Sequence, residues 1–180
     1  MNGKEWYAFF SHTGSEIVKI CEETGNIPDK IITNLSPNDK QINKKLLKLK
    51  TEIVWLSSKP TVQDYERVLH RCGDCICTLH GWMRIVPPRI CKEYKFYNLH
   101  PGLINIYPEL KGKDPQARVC AEVHDWIGCV LHKVTPGVDE GPILMTIKVR
   151  NHYNSEEAIT NRLKEMALDI WLDAINLDIL

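Results

Sequence analysis

Through the first half of the chain, short apolar runs alternate with segments patterned for helices. This alternation restricts the fold more than any other feature. Residues 6–10, 30–33, 53–56 and 75–79 read as strands. Between them, residues 15–23 place Ile17, Ile20 and Cys21 on one helical face, and Ile42, Leu46 and Leu49 recur at helical spacing. Thr61-x-x-Asp64 opens a further helix carrying Val62, Tyr65, Val68 and Leu69. Strands joined through helices require right-handed crossovers. The expectation is an α/β fold, a doubly wound, mostly parallel, Rossmann-like sheet with helices on both faces.

The second half changes character. Residues 96–98 read as a short strand, and Pro101, Gly102, Pro108, Gly112 and Pro115 mark 101–116 as a structured loop. Residues 127–134 and 143–149 read as strands on either side of a loop that holds Asp139. A last helix is expected from Ser155, with Glu156 and Glu157 in the first turn where the helix dipole favours them. Ile159, Leu163, Met166, Ile170 and Ala174 would form its buried stripe. No repeat, low-complexity tract or linker divides the 180 residues, so a single domain over 1–180 is expected.

Charge and cysteine usage narrow the function classes. Lys plus Arg and Asp plus Glu both number 23, which argues against nucleic-acid binding through bulk electrostatics. Lys44, Lys45, Lys48 and Lys50 read as a solvated helix face. The apolar run at 6–10 is too short for a signal-peptide core or a membrane span, and no other stretch reaches membrane length. A cytoplasmic chain with no membrane or nucleic-acid partner is the expectation. Its seven cysteines are then expected to be reduced thiols. Cys72-x-x-Cys75 has the spacing of a zinc half-site, but no second half follows, and Cys75 and Cys77 fall in an apolar strand where cysteine acts as a small hydrophobe. No metal is expected.

Two segments carry chemistry: Asn98-Leu99-His100-Pro101-Gly102 and Val138-Asp139-Glu140-Gly141-Pro142. In an extended strand alternate side chains share a face, so Asn98 and His100 point the same way, and Pro101 biases His100 toward extended backbone. In doubly wound sheets ligands bind beyond the carboxyl ends of strands, where this pair falls. A carboxylate beside an imidazole orients it and favours its cation. An amide donor, an imidazole and a carboxylate suit attack by a nucleophile on a carbonyl: donors for the oxyanion and an acceptor for the proton. No Ser, Cys or Lys stands in a nucleophile motif, which favours direct transfer over a covalent enzyme intermediate. Taken singly, each residue also has a structural role open to it, in a capped turn or an Asp-x-Gly-Pro turn.

Around these residues the chain resembles the folate-dependent formyltransferase family. His80-Gly81-Trp82-Met83-Arg84-Ile85-Val86-Pro87 is similar to the strand and loop that line the family's folate pocket. Asn98 to Leu103 resembles its Asn-x-His-Pro motif, and residues 128–134 with 138–142 resemble its Asp loop. Residues 155–159 resemble the start of its last helix, and the match runs in order from about residue 6 to the C-terminus. The resemblance implies transfer of a formyl group from 10-formyltetrahydrofolate, as co-substrate and without a metal, to the amine of a small-molecule acceptor. That acceptor would be glycinamide ribonucleotide, which would place the chain in purine biosynthesis, or another amine such as an amino sugar nucleotide. Asn98 and His100 would stabilise the oxyanion, and Asp139 would orient His100 and assist proton removal. Met83, Arg84, Ile85, Val86, Thr135, Val138 and Asp139 would hold the folate. Thr13, Gly14, Ser15, Glu16 and His132 would face the acceptor. A monomer or homodimer is expected. Hydrolysis of the same folate, or folate or nucleotide binding without catalysis, are the alternatives.

Departures from the family fall on the acceptor side. The family's ribonucleotide-acting members cradle a phosphate with a Gly-rich turn opening the first helix. Gly14 and Ser15 match that turn and Glu16 does not, since its charge would repel a phosphate. Ala167-Leu168 replaces an acidic residue followed by histidine, and the loop from Leu110 to Pro115 differs from the histidine-bearing loop of those members.

Overall fold

β1 (Glu5–Phe10) is buried from Trp6 onward and pairs on both sides with parallel strands. This and the other features below come from a computed structural model that describes residues 3–122 and 124–179. Among them no helix is long and apolar enough to cross a membrane. The chain separates into two compact units, one up to Tyr97 and one over Asn98–Ile179.

In the first unit, β2 (Lys30–Thr33) lies beside β1 with Tyr7 opposite Lys30, and β3 (Glu52–Trp55) lies beside β2 with Ile31 opposite Ile53. β4 (Cys75–His80) takes the other side of β1, with Phe10 opposite His80. β4 is buried throughout, as expected for a parallel strand covered on both faces. α1 (Ser15–Thr24) buries Ile17, Val18, Ile20 and Cys21, and stops at Gly25, whose φ of 71° suits a glycine C-cap. α2 (Val62–Leu69) starts in a full capping box: the Thr61 side chain accepts from Asp64 N–H and the Asp64 side chain from Thr61 N–H. Phe9, Tyr65, Trp82 and Phe96 form an aromatic core, with Phe9 centroids 5.3 Å from Phe96 and 5.5 Å from Trp82. Trp82 Nε1 donates to Tyr65 Oη at 3.0 Å, which anchors the start of the 83–86 loop in that core.

Three expectations are corrected here. Ile42, Leu46 and Leu49 do not lie on an α-helix; the connection forms only a 3-10 turn, Leu46–Lys48. Side chains of Ser36, Asp39 and Asn43 accept from backbone N–H groups two residues on, at 3.4, 3.1 and 2.9 Å, and so compete with a helical ladder. A short α3 (Pro88–Glu93) opens on the second of two prolines where no helix was expected; Pro88 is tolerated in the first turn, which needs no intrahelical N–H donor. Cys72 and Cys75 are joined as a disulfide rather than reduced, their Cα atoms 5.7 Å apart and within bridging range.

β5 (Lys95–His100) runs through the division, with Asn98 and His100 in the second unit. It is longer than expected and carries both residues in extended backbone. The following loop holds a 3-10 turn, Pro108–Leu110, and α4 (Pro115–Glu122), a helix that the Pro-Gly pattern did not reveal. β6 (Trp126–Lys133) and β7 (Ile143–Arg150) form an antiparallel hairpin whose register shifts between Leu131 and His132. α5 (Glu156–Asn176) is capped by Ser155, whose hydroxyl accepts from Ala158 N–H at 3.2 Å. All five residues of its expected stripe are buried, together with Ala167, Trp171 and Ile175, and Cys129 Sγ on β6 donates to Leu163 O at 3.3 Å.

Candidate active site

The second unit gathers Asn98, His100, His132 and Asp139 from three segments. Asn98 and His100 sit two residues apart at the end of β5. His132 sits at the irregularity of β6, where a change of register re-aims a side chain. Asp139 lies on the turn between β6 and β7 with φ 52°, a left-handed conformation that Asp tolerates better than most residues. Gly141 makes that turn close: a Cβ there would overlap the Lys133 carbonyl, and Lys133 N–H donates to Pro142 O at 2.9 Å.

Asp139 is the hub. Its Oδ2 is 3.2 Å from His100 Nδ1 and accepts from Gly112 N–H at 2.8 Å, while Oδ1 is 3.4 Å from His132 Nε2. Burial alone would raise this carboxyl's pKa. The imidazoles of His100 and His132 and the Gly112 N–H outweigh burial and hold it far below the usual carboxylate range. Asp139 is therefore an anion, and both nitrogens of His100 face acceptors: Asp139 through Nδ1 and Leu110 O through Nε2 at 2.8 Å. Two acceptors are satisfied together by the doubly protonated ring. His132 lies on the other side of Asp139. Its Nδ1 is 3.1 Å from Lys133 O, and its Nε2 is 3.2 Å from Asn98 Nδ2 and 3.4 Å from Asp139 Oδ1. His100 and His132 are both buried.

Sequence reasoning did not find the groups that support this cluster. Leu110 O, Gly112 N–H and the Arg118 guanidinium act through backbone or across a loop. Arg118 donates to the carbonyls of Glu109, Leu110, Lys111 and Lys113, which fixes the loop that meets His100 and Asp139. Thr135 and Val138 flank Asp139 on the same connection, Val138 largely exposed.

The remaining expected site residues belong to the first unit. Met83 and Ile85 are exposed apolar side chains, whereas Val86 is buried. Met83 N–H donates to Ser11 Oγ at 3.0 Å, and Arg84 is turned onto backbone, donating to Ser58 O at 2.7 Å and Met83 O at 2.8 Å. At the start of α1, Gly14 has φ 68°, and Ser15 N–H donates to Thr13 Oγ1 at 3.2 Å. Asn43 Nδ2 donates to Ser15 Oγ at 3.1 Å. Glu16 Oε2 lies 2.6 Å from Nδ1 of the buried His80, whose Nε2 is 2.8 Å from Thr78 Oγ1. The Glu16–His80 pair had no signal in the sequence.

The formyl transferase family model matches residues 15–175. No curated protein sequence matches the chain. Among solved structures, a phosphoribosylglycinamide formyltransferase from Anaplasma phagocytophilum has a TM-score of 0.82 at 21% identity, over 97% of this chain and 86% of that one. A formyltetrahydrofolate deformylase from Pseudomonas syringae has a TM-score of 0.78 at 20% identity, over 98% of this chain and 63% of that one. A sugar N-formyltransferase from a Shewanella species has a TM-score of 0.70 at 16% identity, over 95% of this chain and 68% of that one. At these identities the likeness is one of fold: α/β, with a seven-stranded, mostly parallel sheet.

Proposed function

Because the chain belongs to the formyl transferase family, we propose that it is a single-domain enzyme that moves a formyl group from 10-formyltetrahydrofolate to the amine of a small-molecule acceptor. The observation that carries this reading is the partly buried Asp139 anion, with His100 on one side and His132 and Asn98 on the other. The folate supplies the activated carbonyl; the chain supplies the rest.

Asn98 Nδ2 and His100 Nε2–H are the donors for the oxyanion that forms when an amine adds to the carbonyl. His100 gives its Nε2–H to Leu110 O in this conformation, so transfer requires the 3-10 turn at Pro108–Leu110 to release it. Asp139 keeps the His100 ring oriented through Nδ1. The proton lost by the amine passes to Asp139; collapse of the intermediate then breaks the bond between the formyl carbon and the folate nitrogen, which leaves with a proton returned from His100 or Asp139. In the second unit, exposed Val138 offers apolar surface to a flat ring, with backbone groups of residues 135–139 as polar partners; in the first unit, Met83 and Ile85 are exposed apolar side chains of the kind such a ring packs against. The turn opening α1 suits an acceptor without a phosphate at that point: the Ser15 N–H is already taken, and Glu16 brings a carboxylate.

Folate binding measured by calorimetry, and folate release with a panel of phosphorylated and unphosphorylated amines, test the reading. Binding with amine-dependent release supports it, release without any amine supports hydrolysis, and neither binding nor release refutes it.

A further inference from the structure

In the same unit, apart from the Asp139 cluster, three potential ligands converge. Glu109 stands in the 3-10 turn, Glu122 ends α4, and His124 follows it. The His124 side chain is only 9% exposed, yet its buried Nε2 makes no hydrogen bond. Beside that nitrogen lie Glu122 Oε2 at 3.2 Å and Glu109 Oε1 at 3.7 Å, and one ligand atom from each of the three residues falls within 4.8 Å of the others. The ring is fixed from its face by Tyr107, centroids 4.1 Å apart, and from its backbone by Asn151 Nδ2, which donates to His124 O at 2.9 Å.

A buried imidazole nitrogen that faces two carboxylates without hydrogen-bonding either is poorly matched to them alone. A lone pair there repels the anions, and an N–H there is misaimed. A cation among the three atoms satisfies all of them. Around a four-coordinate ion with bonds of about 2.0–2.1 Å, ligand atoms lie about 3.3–3.4 Å apart, and the two nitrogen–oxygen distances bracket that value. Two carboxylates and a neutral imidazole balance a dication. Among the described residues neither carboxylate has a lysine or arginine ion-pair partner; the Nη1 and Nη2 groups of Arg118 donate to backbone carbonyls instead. We propose that Glu109, Glu122 and His124 bind a divalent first-row metal ion, zinc foremost, with one position open to water. The mixed nitrogen and oxygen set suits zinc or manganese better than calcium.

The site has a direct link to the Asp139 cluster. Glu109 precedes Leu110, whose carbonyl accepts from His100 Nε2 at 2.8 Å. A bound ion would tie the 3-10 turn to the end of α4 and hold Leu110 over His100.

The test uses the full chain stripped of metal. Zinc is titrated by calorimetry, and cobalt(II) is added separately as a spectroscopic probe. The expected result is one zinc ion per chain, a rise in Tm with zinc, and a cobalt spectrum without a thiolate charge-transfer band. Glu109→Gln and Glu122→Gln change exposed side chains, and each should weaken zinc binding by about 100-fold or more and abolish the rise in Tm. His124→Ala should do the same if it folds. Absence of stoichiometric binding, unchanged affinity in both glutamine variants, or a thiolate band placing the ion on cysteines would each overturn the proposal.

Discussion

Replacing Asp139 with asparagine removes a charge and almost no volume. An amide oxygen in the place of Oδ2 can still accept from Gly112 N–H at 2.8 Å and from His100 Nδ1 at 3.2 Å. Its NH₂ group then faces His132 Nε2, 3.4 Å from Oδ1 in the parent. The variant should therefore fold. Each retained bond falls from a charge-assisted one, about 1.5–3 kcal/mol, to a neutral one, about 0.5–1.5 kcal/mol. Two such bonds give a loss of about 2–3 kcal/mol, or a Tm lower by about 5–10 °C for a chain of this size. Turnover should fall far more, about 10²–10⁴-fold, because the carboxylate that orients His100 and the proton acceptor are lost together. The pH dependence has a definite sign. A carboxyl whose folded pKa is depressed contributes stability that is fully present above its unfolded value of about 3.9, and loses it as pH falls below that toward the folded value. The stability gap between parent and Asp139→Asn should thus stay constant from neutral pH to about pH 5 and narrow below about pH 4. Denaturant unfolding across pH and steady-state folate release measure both. A variant within threefold of the parent in turnover, or a gap that does not narrow in acid, would refute the reasoning.

Other perturbations separate chemistry from scaffold. Asn98→Ala should lower kcat about 10²–10³-fold while leaving folate affinity by calorimetry unchanged, as expected for a group that acts on the oxyanion. Gly141→Ala forces a Cβ into the Lys133 carbonyl and should cost about 3 kcal/mol in denaturant unfolding, because backbone cannot move aside as a side chain would. Thr61→Ala removes the capping box of α2 and should cost about 1 kcal/mol with no change in turnover.

The sheet strands and the starts of α2 and α5 were legible because burial and capping are written locally: apolar runs, and Thr61 and Ser155 before a helix. The segment 42–49 misled because apolar spacing suggested a helix where Ser36, Asp39 and Asn43 take the backbone bonds. α3 and α4 were hidden because proline opens each of them and reads as a breaker when position within the helix is unknown. In the candidate site, Asn98, His100 and Asp139 could be singled out by residue type and spacing. The geometry that joins them could not. It depends on the register shift at His132 and on Gly112 N–H and Leu110 O, which leave no mark in side-chain identity, and on Arg118, whose grip on loop carbonyls its residue type alone does not reveal.

The fate of the carbonyl carbon tests the central claim most directly. With donor labelled at the formyl carbon and the amine panel present, the labelled product can be followed by mass spectrometry and NMR alongside folate release. The account predicts that label appears on an amine in proportion to folate released and that His100→Ala abolishes both while still binding folate. Label recovered only as formate with every amine, or transfer that persists in His100→Ala, would contradict it.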